Sequence, residues 1–211
     1  MKRALLLTSA IALCGLAQAV TLSWETTRTW ENVTTAGHGL TIESVDFTKN
    51  ISVKLTYTVT KDNLGTGNPS GNFFVMRWDG GSGNNPSSKS LIVRKTGDTT
   101  PGNIVVNDVN GGNYPKTPIV DLFKEGSHTL ELSLNLAEMT GTYVFDGGTS
   151  TSITFPENLG LGEDLYIATG ALVGNGITLN EMKLTATVPE PTVLALLALG
   201  VAGVALRRKV A

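Results

Sequence analysis

Ile51-Ser52-Val53-Lys54-Leu55-Thr56-Tyr57-Thr58-Val59 decides the fold. Apolar side chains stand at every odd position and polar ones at every even position. That period of two turns one face of a strand to a core and the other to water. Leu130, Leu132, Leu134 and Leu136 repeat it around Glu131, Ser133 and Asn135. Leucine favours helices, but a helix would scatter these four around its circumference, so a strand is expected here too. Residues 73–78, from Phe73 to Trp78, are apolar on both faces and imply a central strand covered on two sides.

Weaker strand patterns lie at 22–25, 40–47, 91–94, 104–106, 142–145, 153–155, 165–168 and 184–188. Clusters of Gly, Asn, Asp, Pro and Ser at 63–72, 79–86 and 107–118 separate them and supply the turns a stack of short strands needs. A late strand over 177–188 slips phase at Asn180-Glu181, as a β-bulge would. No segment before residue 192 carries a helical period. The expected fold is all-β, a two-sheet sandwich, with a barrel as the second choice.

The two ends read differently. Met1-Lys2-Arg3 is cationic, residues 4–13 are almost wholly apolar, and Ala17-Gln18-Ala19 places small residues where a signal peptidase reads them. Residues 1–19 are therefore expected to be a secretory signal peptide, cut before Val20. Ile11-Ala12-Leu13-Cys14 partly resembles a lipobox, but Leu13 is too large for the position before a lipidated cysteine.

At the other end, Val188-Pro189-Glu190-Pro191 leads into residues 192–206, which hold no charge, and Arg207-Arg208-Lys209 closes the run. The prolines resist helix, and the apolar run has no polar face to offer solvent. Fifteen residues at about 1.5 Å each reach roughly 22 Å, short of a hydrocarbon core of about 30 Å. Snorkelling cations and local thinning close such a gap, so a single transmembrane helix is expected at 192–206, its basic end cytoplasmic. The domain boundaries follow: signal 1–19, β domain 20–187, tail 188–211.

This tail resembles the PEP-CTERM sorting signal of bacterial exported proteins: the VPEP motif at 188–191, the apolar span and the basic end occur in order. The resemblance implies recognition by exosortase, a membrane protease-transpeptidase, and release or attachment at the cell surface. It covers positions 188–209 and is silent on the domain before it.

Composition narrows that domain's role. Cys14 is the only cysteine and leaves with the signal peptide, so no disulfide, thiolate ligand or sulfur nucleophile is expected. Between residues 20 and 187 stand 11 Lys and Arg against 17 Asp and Glu, a net charge of −6. An acidic domain is a poor partner for nucleic acid, which needs clustered cations.

Tyr143-Val144-Phe145-Asp146-Gly147 follows the leucine strand and a short loop. It resembles the Tyr-Val-Asp-Gly hairpin of laminin-G-like and concanavalin-A-like jelly rolls, with Phe145 as one extra residue. That resemblance implies a jelly-roll sandwich. Some jelly rolls are glycosidases with Glu-x-Asp-x-x-Glu on one strand; no such spacing occurs here, and Glu43-Ser44-Val45-Asp46 puts its acids on opposite faces.

Other chemistry is sparse. Gly80-Gly81-Ser82-Gly83-Asn84 lacks the last glycine of a nucleophile elbow. His38 and His128 lie far apart with no partner at metal spacing. Asp108-Val109-Asn110-Gly111-Gly112-Asn113 starts like a calcium loop but has Ile119 where the bidentate Glu belongs. Hence no catalytic residue, metal or cofactor is expected. Trp78, Asp79, Tyr114, Asn110 and Asn113 have the character of a sugar site, the rings for stacking and the amides for hydroxyls. Against this stands the plainer reading that Trp78 is core and the asparagines only make turns.

The function expected is an exported, exosortase-sorted, non-catalytic protein, structural or adhesive, working among extracellular polysaccharide. A specific carbohydrate-binding module is the second reading, and a polysaccharide-active enzyme with an unfamiliar site the third.

Overall fold

A computed structural model of the chain describes residues 23–60, 71–82, 89–95, 102–107, 116–156, 162 and 164–189. The expected signal peptide with Ala17, Ala19 and Val20, and the tail from Glu190 through Pro191 to Arg207, Arg208 and Lys209, lie outside those residues. So do Asn110, Asn113 and Tyr114. The compact unit is Glu25–Val188.

Twelve strands form in chain order. They are β1 (Ser23–Val33), β2 (Gly39–Ile42), β3 (Ile51–Val59), β4 (Gly71–Arg77), β5 (Ser90–Lys95) and β6 (Gly102–Asn107). Then come β7 (Lys116–Ile119), β8 (Gly126–Asn135), β9 (Thr140–Phe145), β10 (Thr151–Ser152), β11 (Leu165–Thr169) and β12 (Ile177–Pro189). They make two six-stranded sheets, ordered β1-β12-β3-β8-β9-β10 and β2-β11-β4-β5-β6-β7, and every pairing with a resolved register is antiparallel. The expected two-sheet jelly-roll sandwich is the fold. Each sheet joins a run of consecutive strands, β8-β9-β10 or β4-β5-β6-β7, to strands distant in sequence, and β12 closes the first sheet between β1 and β3.

The alternation read from the sequence is the alternation of burial. Along β3, Ile51, Val53, Leu55, Tyr57 and Val59 are buried while Ser52 and Lys54 are exposed. On β8 the leucines turn inward in register with them: Leu134 faces Ile51, Leu132 faces Val53, and Leu130 faces Leu55. Burying one such side chain contributes roughly 1.5–3 kcal/mol. Phe74, Met76 and Trp78 join this core from β4 and its end, while Val75 between them is also fully buried. On neighbouring strands Ile92, Val105 and Ala168 continue Val75's row and are buried as well. Two-sided burial explains why residues 73–78 show no alternation.

Several expected boundaries shift. The weak pattern at 22–25 belongs to the longer strand β1, whose exposed Glu25, Thr27, Arg28, Thr29 and Glu31 show why it left little signal. It lies at a sheet edge, where charged side chains also deter pairing with other chains. The strand expected over 40–47 stops at Ile42, and Ser44 lies in the left-handed region at φ 55. Residues 116–119 fall in an expected turn cluster yet pair with β6. The slip at Asn180 is a register shift between Leu179 and Glu181, the bulge expected. Residues 146–147 form the expected second turn, with Asp146 and Gly147 both at positive φ and Gly148 N–H donating to Phe145 O at 2.9 Å. In the loop before β9, Met139 takes the left-handed conformation at φ 50. Gly141 instead lies in β9, where a Cβ would come within 2.7 Å of Leu134 and 3.1 Å of Phe155.

Tyr57 stitches the core. Its hydroxyl donates to Leu122 O at 2.7 Å, and its ring packs against Phe73 with centroids 4.6 Å apart. Burial pushes the phenol's pKa far above its ordinary value, and the Asp146 carboxylate adds to that. The folded protein therefore holds this proton where the unfolded chain releases it, near pH 10. The resulting stability is fully present below about pH 10 and is lost as pH rises beyond it. Tyr57→Phe should cost about 1–3 kcal/mol at neutral pH, because Leu122 O is left buried without its donor. Urea unfolding of both proteins between about pH 8 and about pH 11 should show that gap shrinking with pH; a constant gap would contradict the account.

Candidate functional site

Trp78 follows the last residue of β4, and the chain turns there through Asp79-Gly80-Gly81. The indole is fully buried in the core and presents no face to a sugar, which corrects the expectation of a stacking platform. The physical reason is the two-sided burial of β4, which continues one residue past its end. Among the described residues the Trp78 Nε1–H has no hydrogen-bond acceptor.

Asp79 is committed to Arg77. Arg77 donates from Nε at 3.1 Å to Oδ1 and from Nη2 at 3.0 Å to Oδ2, a bidentate pair with both side chains about nine-tenths buried. Gly81 N–H adds a third bond to Oδ1 at 3.1 Å, and Arg77 Nη1 donates to Ser82 O at 3.0 Å. A depression of about 250 Å³ opens beside this turn, lined by Trp78, Asp79, Gly80, Lys89, Gly162 and Asp164. Asp164 in turn accepts Ser44 N–H at 2.9 Å. The corner is built as a brace for the turn. Whether Asn110, Asn113 or Tyr114 contribute falls outside the described residues.

His128 lies within β8 opposite Tyr57 and is 9% exposed. Its Nδ1 is 2.7 Å from Asp146 Oδ2 and its Nε2 is 2.8 Å from Lys124 O. Asp146 Oδ1 also accepts Thr129 N–H at 2.7 Å. With Phe145 stacked at 5.3 Å, the imidazole fastens the turn after β9 to β8.

The outer face of the first sheet carries a feature that the sequence pattern does not announce. Thr185, Ser52, Ser133, Thr142 and Ser152 are register partners on β12, β3, β8, β9 and β10. Thr27 on β1 meets Thr185, their hydroxyls 3.4 Å apart. One row of hydroxyls thus crosses all six strands, and at a strand spacing of about 4.8 Å it extends roughly 24 Å. The next row holds Lys183, Lys54, Glu131 and Val144, with Lys54 Nζ 2.8 Å from Glu131 Oε1. That contact raises the Lys54 pKa from its ordinary value. Between the rows lies an open groove of about 340 Å³. Hydroxyl and charged side chains able to donate and accept line it, together with Val53, Leu132 and Val144. The groove's residues come from four separate strands, so only the sheet register brings them together.

Residues 187–209 match the PEP-CTERM protein-sorting motif, and the match begins inside β12. That motif implies export and sorting by exosortase. No curated protein matches the chain. Among solved structures, the chain is similar to beta-fructofuranosidase from Schwanniomyces occidentalis complexed with fructosyl-erythritol. The identity is 12% and the TM-score 0.53, over 77% of this chain and 33% of that one, so the chain spans about a third of that enzyme's length. It is also similar to the CBM40 of the Ruminococcus gnavus IT-sialidase bound to alpha2,3 sialyllactose, at 9% identity and TM-score 0.48 over 74% of this chain and 90% of that one. Caenorhabditis elegans galectin LEC-6 is similar at 12% identity and TM-score 0.47, over 74% and 94% of the two chains. At such identities the likeness to the fructofuranosidase speaks for the β-sandwich alone.

Asp79→Ala removes one partner of a buried ion pair and strands the Arg77 guanidinium. A loss of about 3–5 kcal/mol in denaturant unfolding is expected. A change below about 1 kcal/mol, the scale of an exposed pair, would show that the corner is more open than its burial implies.

Proposed function

We propose that this is an exported, exosortase-sorted, non-catalytic surface protein of structural or adhesive role, working among extracellular polysaccharide. The observation that carries the reading is the sorting motif at 187–209, which starts within the strand that closes the sandwich. The folded β domain is thus the cargo of the signal. The apolar span 192–206 holds the precursor in the membrane with its basic end cytoplasmic, until exosortase acts.

The hydroxyl row supports the polysaccharide association. Its regularly spaced donors and acceptors suit an extended polyhydroxylated chain laid across the strands. The non-catalytic part draws support from where four of the described acids are spent. Asp79 is paired with Arg77, Asp146 bonds His128 and Thr129, Glu131 meets Lys54, and Asp46 accepts from Thr48. Acids held this way brace the fold. A specific glycan-binding module of laminin-G or lectin type is the second reading, favoured by the groove of about 340 Å³ beside the hydroxyl row.

Changing Arg207, Arg208 and Lys209 together to Glu should abolish membrane retention of the precursor, because anions there reverse the topological bias. Cell fractionation of that variant checks it, and unaltered partitioning would sink the proposed route. N-terminal sequencing of the mature protein should begin at Val20; a lipidated Cys14 in its place would make the protein a lipoprotein.

A further inference from the structure

A further depression lies at the C-terminal end of β1. It measures about 420 Å³ and is lined by Thr29, Trp30, Glu31, Asn32, Val33, Thr34, Thr35 and His38. Trp30 packs against the core yet is only partly buried, unlike fully buried Trp78. The His38 ring meets it edge to face, with centroids 4.6 Å apart and planes at 81°.

This wall is held in place from behind. Buried Thr169 on β11 accepts His38 N–H at 3.0 Å on its hydroxyl, which donates to Thr35 O at 3.0 Å. Its backbone clasps the same loop twice, taking Gly37 N–H on its carbonyl and giving its own N–H to His38 O, both at 2.9 Å. Gly174 lies so close that a Cβ there would come within 2.5 Å of Thr34 O. Asn32 and Gly37 turn the chain at φ 52 and 78. A loop fixed this firmly keeps its shape before any ligand arrives, which lowers the ordering cost of binding.

The chemistry of the wall is specific. An indole offers an apolar face for the C–H side of a sugar ring, and residues with a carboxylate, an amide and hydroxyls able to pair with sugar hydroxyls line the same depression. Glu31 is its carboxylate, and among the described residues no lysine or arginine lines it, so an uncharged ring fits better than an anionic one. We propose that the Trp30–His38 depression binds a single neutral sugar ring of a polysaccharide chain. The proposal rests on the polysaccharide association above and supplies its point of ring recognition.

The test uses the full-length protein in affinity electrophoresis through gels containing neutral polysaccharides (dextran, galactomannan, xylan) or acidic alginate. Wild type should be retarded by a neutral gel, with little effect of alginate. Trp30→Ala should weaken that retardation about tenfold or more, as loss of a stacking anchor does, while Trp30→Tyr keeps much of it. Should Trp30→Ala unfold by circular dichroism, Glu31→Lys on the exposed rim serves instead and should weaken binding likewise. Equal retardation of wild type, Trp30→Ala and Glu31→Lys would overturn this site and leave the polysaccharide association standing. Retardation of wild type by alginate alone would overturn the neutral-ring assignment. Wild type that migrates freely in every gel would overturn the association and this site together.

Discussion

The pairing of β3 with β8 is the contact on which the rest of this sandwich depends. Ile51, Val53 and Leu55 meet Leu134, Leu132 and Leu130 across an unbroken register, and the same register sets Tyr57 opposite His128. A slip of β8 by one residue would turn its leucines to water and bring Glu131 inward. The two strands are separated by more than sixty residues of sequence that build most of the second sheet. Their meeting therefore closes a long loop, a step whose entropy only the buried core can repay.

Much of this architecture was legible where burial is one-sided. The alternations in β3 and β8, the double-sided run of β4 and the bulge at Asn180 each leave a pattern that follows directly from the pleat. Edge strands leave none. β1 exposes most of its length, so its residues answer to solvent and read as irregular. β7 hides for another reason: four residues containing Pro118 look like a turn until β6 offers them a ladder. The sheet order is absent from local pattern altogether, because β12 finds its place between β1 and β3 through contacts that no window of sequence contains.

The candidate sites show the same division. The sorting motif is contiguous, so it could be read outright. Trp78 drew attention because Asp-Gly-Gly follows it, and a turn beside a tryptophan resembles a sugar site in sequence as much as it resembles the end of a buried strand. Zero exposure separates the two. Trp30 gave the opposite signal: it sits mid-strand among threonines and charges, and its depression exists only because Thr169, well over a hundred residues away, anchors the loop that carries His38. The hydroxyl row is the extreme case, since Ser and Thr on a solvated face carry no message until six strands align them.

The position of β12 has a mechanical consequence. Its final residues run straight into the sorting tail, and a neighbour flanks it on either side. Force applied to the C-terminal end would draw the strand along its own axis, across ladders whose bonds lie perpendicular to the pull. Such a geometry loads both ladders together in shear instead of peeling them one rung at a time. A domain tethered by its tail would thus be gripped through an interior strand, flanked on both sides, where the anchorage to the body of the protein resists tearing better than at an edge.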